Sequence, residues 1–330
     1  MKESKSLDSI KEYTNKFKKD RKFFTENLSI YQDKKPEILY YYTSISVLDN
    51  ILKNETLWLS NSKYMNDSTE INYTKELIHN ICDEFLDLHS NFDKFFKKTI
   101  DNLLNNMDKD LGDTYILSLT TNRDSLALWS NYSDYDGYNV GFNSEKLRGM
   151  FDKRYYYFKD KHERPIQIND EDFLFDFGEV IYKKDCQQKI LKERILFLYN
   201  IYKDYYDFID SREFKVLVAC VMYDISYISI FLKNPSFKEE EECRIVFRFI
   251  NNELKNRVVN HRISNRVFIP YIKLSFKKID HKNYRNIPIK SITIGPKNNL
   301  DIAEIGLMSF LESEKYRNLN IGKSNIPLRY

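Results

Sequence analysis

Periodicity switches twice along this chain, and that switch constrains the fold more than any other feature. Between residue 37 and about 145, short segments rich in β-branched and aromatic residues recur. Ile38–Thr43, Thr56–Ser60, Thr114–Thr120 and Tyr138–Phe142 read as strands. From Cys186 to about Ile230 the apolar residues instead recur at helical spacing. Strands return at Arg244–Ile250, Val267–Ile269 and Ser291–Ile294. A sheet made from these segments must draw on both ends of the chain. The pattern therefore predicts an α+β fold with a mixed sheet core and a helical middle insertion at about 183–235.

Other segments fill in the plan. Residues 1–36 read as a charged helical N-terminal extension closed by Pro36, and 37–330 as a single domain. Ser44 suits a helix N-cap ahead of Val47, Leu48, Ile51 and Leu52, and Asp67 with Glu70 resembles a capping box. Helices are expected from there to about Leu88, over Phe92–Met107, Asp124–Tyr132 and Asp301–Glu312, and a strand near Glu179–Tyr182.

Charge and cysteine usage exclude several classes. Lys+Arg 52 against Asp+Glu 49 leaves a net +3, too little for a dedicated nucleic-acid binder. The four cysteines form no C-x-x-C pair and the five histidines show no metal spacing, so neither a disulfide framework nor a metal is expected. No P-loop, dinucleotide-fold glycine motif, nucleophile elbow or H-E-x-x-H is present. The N-terminus lacks a signal-peptide apolar core, and the apolar runs at Ile195–Tyr202 and Val216–Tyr223 are too short to span a bilayer. A soluble, cytoplasmic protein with no membrane partner is expected.

One stretch stands out chemically. Four carboxylates, Glu239 to Glu242, run through Cys243 and Arg244 into a strand. Alternation along that strand would put Glu240, Glu242 and Arg244 on one face and Glu241, Cys243 and Ile245 on the other. The same run also suits a solvated strand entrance, with Glu242 and Arg244 as an ion pair.

An ordered series of signatures surrounds this run. It comprises Leu39-Tyr40-Tyr41-Tyr42-Thr43-Ser44, Leu57-Trp58-Leu59-Ser60 and Met65-Asn66-Asp67-Ser68-Thr69-Glu70. Leu117-Ser118-Leu119-Thr120, Leu128-Trp129-Ser130-Asn131-Tyr132 and Val140-Gly141-Phe142 follow. Glu240–Arg244, Phe268-Ile269-Pro270-Tyr271, Ile294-Gly295-Pro296 and Ser324–Arg329 complete it. Over about residues 38–330 the chain resembles the bacterial family catalogued as domain of unknown function 2971. Tyr41 stands where relatives often carry His or Arg, and Cys243 where they usually carry Trp.

The layout is similar to the ADP-ribosyltransferase plan. That likeness implies a fold of that type and NAD as substrate. Glu242 would stabilise an oxocarbenium-like ribose, and Glu240 would deprotonate a protein or nucleic-acid acceptor. Tyr40, Tyr42 and Thr43 would line the dinucleotide, with Ser60, Asn66, Asp67 and Arg244 in supporting positions. Ser118 would hydrogen-bond the ribose, and Trp129 or Tyr132 would stack on nicotinamide. The function implied is an NAD-consuming ADP-ribosyltransferase or NAD glycohydrolase, with a toxin or phage-defence context that the family resemblance alone suggests. A non-catalytic nucleotide- or protein-binding module is the alternative. An RNA-directed role for the basic N-terminal helix is opposed by the near-neutral charge.

Overall fold

The computed structural model describes residues 6–19, 36–64, 70–153, 156–166, 168–169, 171–264, 266–276, 287–298 and 300–328. The chain divides into two compact units, each fed by three separate segments.

The first unit is built on a sheet. Its strands are β1 (Ile38–Thr43), β2 (Thr56–Asn61), β3 (Thr114–Thr120), β4 (Tyr138–Asn143), β5 (Tyr157–Lys159) and β6 (Pro165–Ile166). They continue with β7 (Phe173–Glu179), β8 (Glu242–Phe249), β9 (Asn260–Ser264), β10 (Val267–Ser275), β11 (Ile289–Ile294) and β12 (Asn320–Lys323). The main path runs β12-β11-β4-β1-β3-β2-β10-β5-β6, with β8 alongside β3, β7 alongside β8, and β9 paired to β10. β11 and β12 run parallel while β1 with β4 and β3 with β8 run antiparallel, so the sheet is mixed. The α+β class and the sheet drawn from both ends of the chain follow from this order.

Strand alternation gives the sheet two different faces. Leu39, Leu59, Leu117, Val140, Ile245 and Ile292 point to one side and share a single apolar core. Burying each contributes roughly 1.5–3 kcal/mol. The residues between them, including Tyr40, Ser60, Ser118, Asn139, Glu242 and Thr293, occupy the other side. One face is oily, the other polar.

Several strand limits differ from those read in the sequence. β10 continues through Pro270 to Ser275, and β9, β5, β6 and β12 have no counterpart in the expected pattern. β9, Asn260-His261-Arg262-Ile263-Ser264, carries one apolar residue, so it has no alternating signal to detect. Near Glu179–Tyr182 the strand lies earlier, at Phe173–Glu179, and Ile181 makes only an isolated bridge to Leu232.

The second unit is helical. It takes Leu7–Lys19, Glu70–Phe85, Asn91–Asp110, Lys184–Asp204 and Arg212–Ile228. The expected insertion at 183–235 is thus one of three contributors to a separate core rather than an appendage of a single domain. Each helix has an apolar stripe that it cannot bury alone, and Ile10, Ile81, Ile100, Ile195, Leu198 and Val221 meet in one cluster. Gln187, fully buried, donates to the Ile181 and Lys233 carbonyls and accepts the Tyr73 hydroxyl at 2.6 Å. The span Arg212–Phe231 is long and apolar enough to cross a membrane, but most of it is buried, as in the core helix of a globular protein.

Candidate functional site

The polar face is organised around β3. Along one edge β3 pairs with β8 for its whole length, from Thr114 opposite Arg248 to Thr120 opposite Glu242. Along the other edge two different strands meet it. β1 touches at Tyr40 opposite Thr120, and β2 at Ser60 opposite Ile116 and Asn61 opposite Tyr115. Among the described residues no strand pairs with Leu117–Leu119 on that edge. The sheet forks there, with Ser118 at the opening.

Residues from four strands reach this fork on the polar face. Ser118 lies opposite Arg244. Tyr42 is two residues beyond Tyr40, and Trp58 two before Ser60, so one stands on each arm beside Ser118. The Ser118 hydroxyl is buried and finds no hydrogen-bond partner among the described residues. Gly141 on β4 makes room at the margin: a Cβ there would collide with Ser291 Oγ and stand 3.1 Å from Tyr40 Cε1.

Glu242 and Arg244 form a buried bidentate pair. Arg244 Nε and Nη2 each donate at 2.8 Å to a different oxygen of Glu242, and the side chains are 6% and 1% exposed. Charges this deep require such a bidentate fork. Glu242 lies at the first position of β8, opposite Thr120, on the face that alternation assigns it.

Glu240 is not part of the strand. Pro235–Glu240 is a 3-10 helix and Glu241 has φ 44, a left-handed residue that turns the chain before the strand begins. Alternation therefore starts at Glu242, and the Glu240-x-Glu242 pairing expected on one strand is corrected. The Glu240 carbonyl accepts the Thr120 hydroxyl at 2.6 Å, the Glu241 carbonyl accepts Thr121 N–H at 3.1 Å, and the Thr121 hydroxyl bonds the Glu241 carboxylate. The acidic run is thus tied to the end of β3 through its backbone.

The remaining expected residues fall in distinct places. Tyr40 is half-buried; burial pushes its phenol pKa up, with Arg123 opposing. The Tyr42 phenol donates to the Asn122 carbonyl at 3.0 Å and accepts Ser125 N–H at 2.9 Å, and burial raises its pKa strongly despite that N–H. Thr43 is buried on the opposite face, paired with Tyr138. Ser60 accepts a 2.9 Å hydrogen bond from Arg262 Nη2. Asn66 and Asp67 lie outside the described residues.

Trp129 is fully buried, 4.7 Å from the Tyr42 ring edge-on, and its indole donates to Asp124 Oδ1 at 2.7 Å. Asp124 also accepts the Ser324 hydroxyl and Asn325 N–H, both at 2.7 Å. Two sequence signatures far apart in the chain therefore meet on one carboxylate, and Trp129 lies in the core with no face exposed. Tyr132, on the same helix, Leu126–Ser133, is 37% exposed. Asp124, Trp58 and Arg262 have no site role in the sequence reading. Only Trp58 has a usable signal, since alternation puts it on the face of Ser60.

A cavity of about 660 Å³ lies elsewhere, lined by Ile45, Leu48, Tyr138, Leu307 and Phe310 among others, and it includes none of the expected site residues. Among the described residues no group of three or more His, Cys, Asp or Glu side chains is placed to hold a metal ion.

Fold and site thus define an α+β protein with a forked mixed sheet and a polar, partly unsatisfied inner face. A family model described as "Protein of unknown function (DUF2971)" matches residues 128–245, and the chain resembles that family. The match runs from the Leu126–Ser133 helix to β8 at Ile245. No curated protein and no solved structure matches the chain.

Proposed function

We propose that the chain binds a nucleotide, with NAD as the ligand, in the fork where β1 and β2 part from β3. The observation that carries this is the buried, unpartnered Ser118 hydroxyl at that opening. Leaving such a group unmet costs about 1–3 kcal/mol, and a ribose hydroxyl would meet it. Trp58, half-buried on the β2 arm, supplies aromatic surface beside it. The test is calorimetric titration of the full chain with NAD. Ser118→Ala should weaken binding by about tenfold, the worth of one hydrogen bond in a dry site. Undiminished binding by that variant counts against the fork.

A second function, NAD consumption by an ADP-ribosyltransferase or glycohydrolase, is favoured by one row of residues. Tyr40, Thr120 and Glu242 stand side by side across β1, β3 and β8. Against it stands Arg244, which holds both Glu242 oxygens; a carboxylate so engaged must share or release one to face a ribose. Binding without turnover is therefore the stronger of the two. Nicotinamide release from NAD, with and without cell extract supplying a protein or nucleic-acid acceptor, separates them. A toxin or phage-defence role would belong with turnover. We place the protein in the cytoplasm on similar footing: its four cysteines carry free thiols, which suits a reducing compartment.

A further inference from the structure

The β2 arm of the fork carries hydrogen-bond donors in excess. Arg262, on β9, reaches past β10 to donate from Nη2 to Ser60 Oγ at 2.9 Å, Tyr271 standing in register between Ser60 and Asn260. Its Nε–H is buried with no acceptor among the described residues. Trp58, two residues before Ser60 on the same face, buries its indole N–H in the same unmet condition. Guanidinium and indole nitrogens only donate, so no rotation or tautomer of either group can relieve the other. The indole is braced by Tyr271, ring centroids 4.8 Å apart, and cannot easily swing out to water.

The nearby cation does not change this balance. Lys273 faces Trp58 in register but is already paired with Glu163. No carboxylate pairs with Arg262 among the described residues. An uncompensated guanidinium beside a second donor fits a ligand that offers only acceptors and carries negative charge.

We propose that Trp58, Ser60 and Arg262 form an anion subsite that takes a phosphate of the bound nucleotide. This rests on the nucleotide-binding role proposed above and adds where the ligand's negative charge is held. Arg262 Nε–H and Trp58 Nε1–H donate to phosphate oxygens, and the Ser60 hydroxyl, accepting from Arg262, turns its own proton to a third. The sugar then points across the fork to Ser118.

The test uses the full chain and three probes: inorganic pyrophosphate, NAD, and nicotinamide riboside, which has the base and sugar without phosphate. Pyrophosphate should bind the wild type. Arg262→Gln, which keeps length but removes charge, should weaken pyrophosphate and NAD by about tenfold or more and leave nicotinamide riboside unchanged. Arg262→Lys, which keeps the charge but loses the Nε–H, should fall between. Trp58→Phe keeps a ring and loses the donor, and should weaken both phosphate ligands several-fold. It should also abolish any change in tryptophan emission, because the chain's second tryptophan, Trp129, is fully buried and bonded to Asp124. Should Arg262→Gln fail to fold, the Arg262→Lys and Trp58→Phe titrations decide. NAD binding without pyrophosphate binding, or pyrophosphate binding indifferent to these substitutions, overturns the subsite while the nucleotide role stands. Pyrophosphate binding lost in the variants, with NAD and nicotinamide riboside both ignored, keeps the subsite and removes NAD. If no probe binds, both fall.

Discussion

Arg244 grips Glu242 from two residues along the same strand, one guanidinium N–H to each carboxylate oxygen at 2.8 Å, with almost nothing of either side chain exposed. Neither charge has water to fall back on. Glu242→Gln should therefore destabilise the sheet unit by about 3–5 kcal/mol, because it removes the negative charge that faces a buried guanidinium. Replacing both, as Glu242→Leu with Arg244→Met, should recover much of that loss. Urea unfolding of the three proteins checks this, and an unchanged midpoint for Glu242→Gln would show that the pair carries little.

Tyr42 offers a pH signature. Its phenol is buried and its pKa raised above the ordinary value near 10, so the folded state holds that proton more tightly than the unfolded chain. The stability this brings is present below pH 10 and declines as pH rises through the unfolded and then towards the folded value. Tyr42→Phe should cost about 1–2 kcal/mol at neutral pH through the lost bonds to Asn122 and Ser125. Its stability should also fall less steeply than the wild type's above pH 10, read from urea midpoints across that range.

Asp124→Asn tests the carboxylate that joins the signatures. One amide oxygen cannot accept from Trp129, Ser324 and Asn325 as the two carboxylate oxygens do. A loss of about 1–3 kcal/mol is expected. In a Trp58→Phe background, emission then comes from Trp129 alone and should shift to the red.

Gly141→Ala would drive a methyl group into Ser291 Oγ and against Tyr40. Overpacking of this kind costs about 1–3 kcal/mol. Adding Ser291→Ala removes the nearer clash and should restore part of the melting temperature.

The sequence made some of this legible and not the rest, for physical reasons. Alternation identifies the strands at Ile38–Thr43, Thr114–Thr120 and Tyr138–Phe142, because each has one face in the apolar core. It misjudges Glu240. Glutamate has no preference for left-handed backbone, so nothing in four consecutive glutamates announces the turn at Glu241. The fork is invisible for another reason: which strands lie beside β3, and where they leave it, is decided by long-range pairing. Trp129 shows the reverse error, where an aromatic signature suggests a ring platform and the side chain is instead a buried brace on Asp124.

Asp124 also sets a schedule for synthesis. Two of its donors, Ser324 and Asn325, lie 200 and 201 residues further along the chain. At ribosomal speeds of roughly 5–20 residues per second that separation is about 10–40 s. Throughout that interval Asp124 and Trp129 have been synthesised without the segment after β12 that fastens them. The Asp124 network of the sheet unit therefore cannot close until Ser324 and Asn325 have been made, long after the carboxylate they fasten.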